Sequence, residues 1–204
     1  MPIEIEKKYR LTKKDRRALE KRMRELGYEP KPIEFEENTI YGGGRLNFGG
    51  CALRLRRVNG NERAYLTFKR RLPGKSPIKH QEEHEVTVAD PDAMDWILNS
   101  LEFRPALVYE KRRARWKVGQ AKVVIDELPF GLFMEIEASV KEIKRVERLI
   151  GAEHLSAVSE TYPTLTANLG KKSRGVIEAR FKKERLEARG WMRAKDRTLP
   201  SKTR

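Results

Sequence analysis

The chain has 204 residues, carries 45 Lys and Arg against 30 Asp and Glu for a formal net charge of +15, and is 37% charged overall. A chain of this length buries a real core in one domain with an appendage, and a strong positive balance points to a polyanionic partner. The single cysteine, Cys51, excludes an internal disulfide and fits a reducing compartment; no signal peptide and no long apolar run is present, so a cytoplasmic protein without a membrane partner is expected.

The positive charge is uneven. Residues 170–204 hold 13 Lys and Arg against 4 Asp and Glu, leaving 32 against 26 in residues 1–169. In the body, function therefore lies in how charges are arranged and not in their sum.

In chain order, alternation predicts a strand over 2–10, after which Thr12 caps a helix with Asp15 in its first turn and Leu19, Met23 and Leu26 at helical spacing. Gly27 is placed to end it. A second strand covers 33–41, with a flexible turn bracketed by Gly42-Gly43-Gly44 and Gly49-Gly50. Strands over 52–58 and 64–70 join through Asn59-Gly60-Asn61, a strong hairpin signal. Residues 75–80 read as a loop and 81–89 as a strand, and Asp90-Pro91 opens a helix that ends near Leu101 and buries Met94, Ile97, Leu98 and Leu101. Strands over 107–118 and 121–127 form a hairpin through Gly119-Gln120, 132–138 is the last strand, and 140–150 and 152–169 are helical in pattern. Beyond Leu169, residues 173–189 have helical propensity with a ragged apolar stripe of Val176, Ile177, Phe181 and Leu186.

The polar faces of these strands are unusual. In Ile3-Glu4-Ile5-Glu6-Lys7-Lys8, one parity carries Glu4, Glu6 and Lys8. Two carboxylates beside an ammonium repel or lose solvation unless something charged lies between them, and a metal ion bound to an anion is the natural guest. Arg54 and Arg56 share one face of a strand, Lys69 follows in the next, Glu83 and Glu85 alternate with His84 and Val86, and Lys111, Arg113 and Arg115 fall on one parity. Asp126, Glu135 and Glu137 close the series. A half-exposed sheet has such alternation too, but mixes Ser, Thr and Gln into its wet face; faces made of Glu, Asp, Arg and Lys make sense when turned inward around a closed sheet, where they compensate each other and a ligand.

Glu4-Ile5-Glu6-Lys7-Lys8 matches the ExExK signature of the CYTH domain, the triphosphate tunnel metalloenzymes, which include class IV adenylyl cyclases, thiamine triphosphatases and inorganic triphosphatases. Its followers stand in family order: Ala52-Leu53-Arg54-Leu55-Arg56, Leu66-Thr67-Phe68-Lys69, Glu83-His84-Glu85, Lys111-Arg112-Arg113, Val124-Ile125-Asp126-Glu127 and Gly131-Leu132-Phe133-Met134-Glu135-Ile136-Glu137. The resemblance covers 1–169 and leaves 170–204 as a basic extension, helical or disordered. It implies an α+β fold, a closed antiparallel β-barrel of about eight strands forming a tunnel with helices packed outside.

It also implies site residues. Lys8, Arg54, Arg56, Lys69, Lys111 and Arg113 would contact phosphates, with Arg suited to bidentate contact. Glu4, Glu6, Glu135 and Glu137, with Asp126, would hold Mg²⁺ or Mn²⁺. Glu85, Asp126 and Lys69 would serve catalysis, the carboxylates as further ligands or water-orienting groups. One cation would hold the phosphates and a second would activate water for in-line attack. The expected activity is metal-dependent hydrolysis of inorganic triphosphate or a small organic triphosphate. Presenting a nucleoside 3′ hydroxyl to the α-phosphorus would instead give cyclic AMP, and a non-catalytic polyphosphate- or nucleic-acid-binding module is the third reading.

Duller roles compete. Lys7, Arg57, Arg70 and Arg112 fall on the opposite parity and read as solvated; Glu85 and Arg115 are alternatively a rim pair. His80, His84 and His154 lack metal-ligand spacing, Cys51 reads as turn-adjacent, and Trp96 and Trp116 sit at core positions. Tyr41 stands where the resembled family often has an aromatic followed by an acidic residue, but glycines follow here. The extension is read as solvated, as a lid on the tunnel mouth, or as an arm for RNA or polyphosphate. The oligomeric state is open.

Overall fold

The computed structural model describes residues 3–44, 46, 50–72 and 77–182. Its frame is β1 (Ile3–Leu11), β2 (Glu34–Gly42), β3 (Cys51–Val58), β4 (Arg63–Arg71), β5 (Ile78–Val88), β6 (Arg104–Val118), β7 (Ala121–Leu128) and β8 (Gly131–Glu137). The hydrogen-bonded order is β2-β3-β4-β5-β1-β8-β7-β6, and β6 pairs back onto β2 from Glu34↔Arg113 to Gly42↔Arg104, so the antiparallel sheet closes on itself. A barrel of this size has an interior that side chains fill or that takes one small ligand. The β3–β4 turn works because Asn59 and Gly60 both accept positive φ, 49° and 76°.

Around the charged part of the lumen the apolar residues face outward, where the helices cover the walls. α1 (Lys13–Glu25) begins at a reciprocal cap in which Thr12 Oγ1 accepts the Asp15 N–H at 3.1 Å and Asp15 Oδ2 accepts the Thr12 N–H at 2.8 Å. With α3 (Val140–Ile150) it buries Leu19, Met23, Ile143, Val146 and Ile150 against Tyr9, Trp116, Ile125, Met134 and Ile136. α2 (Pro91–Ser100) sets Leu98 on Leu55, Ala64 and Val88 of the opposite wall. Among the described residues no helix is long and apolar enough to cross a membrane.

Several expectations need correction. Trp116 is buried, but Trp96 is 71% exposed, and Ile97 and Leu101 also face solvent. A helix touching the barrel along one narrow stripe buries only the residues on that stripe, here Pro91, Leu98 and partly Met94. The strand expected from 81 begins at Ile78, which brings Lys79 into the barrel. Helix over 152–169 is confined to α4 (Tyr162–Leu169): Gly151 ends α3 at φ 74°, and α4 starts afresh with Thr161 as its cap and Pro163 in its first turn. Residues 152–161 run back along β1 instead, pinned where the Val158 N–H donates to the Lys8 carbonyl at 2.8 Å.

The helix expected from residue 173 is, through residue 179, a hairpin of β9 (Lys171–Ser173) and β10 (Val176–Ala179). Arg174 and Gly175 both take positive φ, 50° and 88°, as a tight two-residue turn requires. β10 lies parallel to β6 over Leu107 to Tyr109, on the edge that β7, paired only from Arg112 onward, leaves uncovered. An uncovered edge of hydrogen-bonding groups and β-branched Val176 and Ile177 outweigh the weak helical stripe. The rest of the expected basic arm, residues 183–204, lies outside the described residues.

Candidate active site

Pairing register turns the charged parity of every strand inward, and ion pairs that skip a strand confirm it. Lys69 on β4 donates to Glu4 on β1 at 2.6 Å, Arg56 on β3 to Glu85 on β5 at 2.5 Å, and Arg113 on β6 to Glu135 on β8 at 2.9 Å. Each spans two strand spacings along the concave inner face of the closed sheet. Arg113 also forks onto Asp126 at 2.7 and 2.5 Å, and Lys111 stands 3.2 Å from Glu36 and 3.5 Å from Asp126. Lys8 lies 3.3 Å from Glu135, Lys79 lies 3.6 Å from Glu6, and Arg54 lies 3.6 Å from Glu85. Of the residues singled out from sequence, only Glu137 stands at the rim, half-buried and paired with Lys122 at 2.6 Å.

The lumen holds more than the sequence reading named. Glu36, Lys79 and Asn38 face inward as well, and Glu83, on the charged parity read from sequence, lies 2.9 Å from Lys69. The alternation Glu34-Phe35-Glu36 was the available signal for Glu36, whereas Lys79 was hidden in an expected loop. Glu85 and Arg115 do not pair as a rim couple: Glu85 is held by Arg56, Arg54 and Thr67, and Arg115 by Glu34 and Glu36. The outward cations are outside the lumen as expected, but they are not all solvated. Lys7 pairs with Glu147 at 2.5 Å, Arg57 with Asp92 at 2.7 Å, and Arg112 is buried between Glu127 and the Phe181 ring; Arg70 stays largely exposed beside Glu82. His84 pairs outside with Glu82, and His154 lies near Asp15.

One end of the lumen is apolar. Ile40, Leu107, Tyr109, Leu128 and Phe133 meet Tyr162 and Leu165 of α4 there. Tyr162 links this plug to the charges: its hydroxyl donates to Asp126 at 2.9 Å, and its ring lies 3.7 Å from Lys8 Nζ. Lys8 and Lys79 both donate to the Glu160 carbonyl, at 3.2 and 3.4 Å.

Packing opposite charges into one cavity shifts their protonation. Burial pushes the Glu6 carboxyl up, helped by the nearby Glu135 carboxylate and opposed by Lys8 and Lys79. Burial acts the same way on Glu135 and Glu36, but there the cations win: Lys8 and Arg113 hold Glu135 far down, and Lys111 and Arg113 hold Glu36 well below the carboxylate range. Lys111 is brought down to about 8 by burial and the Arg113 charge, against the pull of Asp126 and Glu36. Lys8, Arg54, Arg56, Lys69, Lys79, Lys111, Arg113 and Arg115 are offset by Glu4, Glu6, Glu36, Glu83, Glu85, Asp126, Glu135 and Glu137, so the lumen is close to neutral. A polyanion entering it displaces carboxylates from their cations and needs further positive charge. Glu4, Glu6 and Glu135 supply oxygen donors only, which suits a hard divalent cation, and burial first, then the Glu135 charge, disfavours the Glu6 carboxylate when no further cation is beside it. Among the described residues no ready-made cage of carboxylate, His or Cys ligands is present.

A closed antiparallel barrel whose interior is a compensated array of acidic and basic side chains defines the class as β-tunnel proteins with a charged lumen. The CYTH domain family profile matches residues 2–162, and the chain belongs to that family. Among solved structures, the chain is similar to the PH1012 protein of Pyrococcus horikoshii at 25% identity and TM-score 0.66, covering 78% of this chain and 96% of that one. It is also similar to the PH1819 protein of the same organism, at 25% identity and TM-score 0.67 over 81% and 98% of the two chains. A protein from Hippeastrum described as a putative adenylyl cyclase with dominant triphosphatase activity shares the fold at 17% identity and TM-score 0.64, over 81% and 95%. A comparison with curated proteins gave no match.

Proposed function

We propose that the chain is a divalent-metal-dependent hydrolase that takes inorganic triphosphate or a small organic triphosphate into its tunnel. The observation that carries this reading is the near-neutral lumen in which every cation is held by a displaceable carboxylate. A triphosphate carries about four negative charges in a row, and several cations in sequence are what its binding demands. Lys8, Arg54, Arg56, Lys69, Lys111 and Arg113 contact the phosphoryl oxygens. Glu4, Glu6 and Glu135, with Glu137 at the rim, would hold Mg²⁺ or Mn²⁺, which would supply charge neutralisation and Lewis-acid polarisation of the phosphoryl group. Asp126, its oxygens taken by Arg113, Lys111 and Tyr162, orients those groups more than it serves as a ligand. Glu85, partly open to solvent, orients the attacking water, and Lys69, paired with Glu4 and Glu83, stabilises charge further along the tunnel. Water adds to the terminal phosphorus, the bridging P–O bond breaks, and orthophosphate leaves together with the shortened phosphate chain.

The apolar inward face is covered by α4, which leaves the charged part of the lumen to receive substrate and favours hydrolysis over base-directed cyclisation. The dominant triphosphatase activity ascribed to the Hippeastrum protein accords with that order. The test incubates purified protein with tripolyphosphate, ATP and thiamine triphosphate in Mg²⁺ or Mn²⁺ and measures phosphate, pyrophosphate and cyclic AMP. Phosphate release is expected; cyclic AMP without free phosphate would overturn hydrolysis, and no turnover of any substrate would leave a binding module.

A further inference from the structure

Asn38 lies at the middle of β2 on its inward parity, with Arg56 of β3 and Tyr109 of β6 as its register partners. Its side chain is fully buried, and neither its amide nitrogen nor its oxygen has a hydrogen-bond partner among the described residues. Buried carboxamides are almost always satisfied, so one that no protein group partners, on the inward face beside two arginines, is a polar group aimed into the lumen. Two more donors nearby are in the same state: the Nε groups of Arg54 and Arg56 are buried and unpartnered, although both guanidinium groups are engaged through their outer nitrogens. Arg54 stands opposite Ile40, one inward position along β2 from Asn38.

We infer that Asn38 is a substrate-positioning contact whose amide N–H donates to a phosphoryl oxygen held by Arg54 and Arg56. This rests on the triphosphatase reading and adds a residue and a reason to it. A third cation at this point would meet a wall already strained by like charge, since burial and then Arg54 push the Arg56 guanidinium down. A neutral amide adds a directed donor without that repulsion, while a carboxylate would repel the substrate. The amide therefore acts as a gauge of position, fixing one phosphoryl group beside the arginine pair.

Three variants test it. Asn38→Asp is isosteric, replaces the donor with an anion and gives the arginines a partner; Asn38→Leu is close in size and abolishes the open polar group; Arg56→Ala reports on the tunnel reading itself. Tripolyphosphate binding by calorimetry, KM and kcat, and thermal melting are measured for each. Asn38→Asp should raise KM and weaken binding by about tenfold or more, with kcat changed less, while its melting temperature holds or rises. Asn38→Leu should also bind more weakly and melt no lower. A residue kept for structure would do the reverse, losing stability with binding intact. Stable Asn38 variants that bind within twofold of the wild type, while Arg56→Ala does not, overturn this inference alone. Wild-type protein that neither binds nor cleaves tripolyphosphate overturns it together with the triphosphatase reading.

Discussion

Arginine grips several carboxylates at two places in this molecule, and the two differ in what is left over. On the outer wall, Arg180 reaches Glu37 at 2.5 Å, Glu178 at 2.8 Å and Glu110 at 3.1 Å, while the Phe181 N–H donates to Glu110 and its ring packs on Phe35 and Arg112. That cluster is half-exposed and its partners satisfy one another. In the lumen, Arg113 grips Asp126 and Glu135 in much the same manner, yet the Asn38 amide and the Nε groups of Arg54 and Arg56 are buried without hydrogen-bond partners among the described residues. Outer-wall charges hold chain to chain; lumen charges hold each other across the barrel and, on the proposed triphosphatase reading, give way to a guest.

The largest expected effect separates these roles. Glu6→Gln removes a carboxylate whose charge is disfavoured by burial and then by Glu135, so metal-dependent turnover should fall by about 10²–10³ while thermal stability holds or rises. Turnover within a few-fold of wild type would break the assignment of Glu6 to the cation, and a large drop in melting temperature would make it structural.

The lumen was legible from sequence because a period of two survives any change in strand boundaries: Glu4, Glu6, Arg54, Arg56, Glu135 and Glu137 keep their shared face whether a strand starts one residue early or late. What was not legible depended on contacts between distant segments. Lys79 looked like loop because nothing local reveals that β1 pairs with β5 from Ile78. Tyr162 reads locally as one residue of a helix, and only the closure of the barrel brings it onto Lys8 and Asp126. Trp96 fits a helical stripe, but the width of the contact with β3 decides how much of a stripe is covered.

The C-terminal hairpin gives the next test, because the expected domain end at 169 leaves it out. We propose that the folded unit extends through residue 181. A chain ended at 169 loses the cover of β6 and the burial of Ile177, Ala179 and Phe181, worth about 2–3 kcal/mol or a fall of several degrees in melting temperature. Gly170→Ala is a finer probe of the same packing, since its Cβ would sit 2.6 Å from the Thr166 carbonyl oxygen and 2.8 Å from Ile177. A chain ended at 182 should melt like the full chain if the hairpin is the stabilising part; equal melting of the chain ended at 169 would return the boundary to 169.

Smaller still is a pH effect confined to the lumen. With Lys111 near 8, its ammonium is lost just above neutrality, so affinity for tripolyphosphate should decline by up to about tenfold per pH unit above 8. Stability moves the other way. The unfolded chain keeps its Lys111 proton up to the ordinary lysine range while the folded chain has released it, so this residue's contribution to stability rises between pH 8 and about 10.5. Lys111→Arg stays charged and should flatten the alkaline loss of affinity; an unchanged profile would remove Lys111 from anion binding.

Arg180→Ala is expected to do least. Its side chain is 39% exposed, so the three carboxylates around it gain less from the guanidinium than their number suggests, and screening by salt reduces the gain further. A loss of about 1 kcal/mol is expected, seen as a few degrees in melting temperature and smaller in high salt, with tripolyphosphate turnover unaltered. Should turnover fall with it, the outer cluster would be coupled through β6 to Lys111 and Arg113 on the inner face of the same strand, and the division between charges that hold the wall and charges that hold the guest would no longer stand.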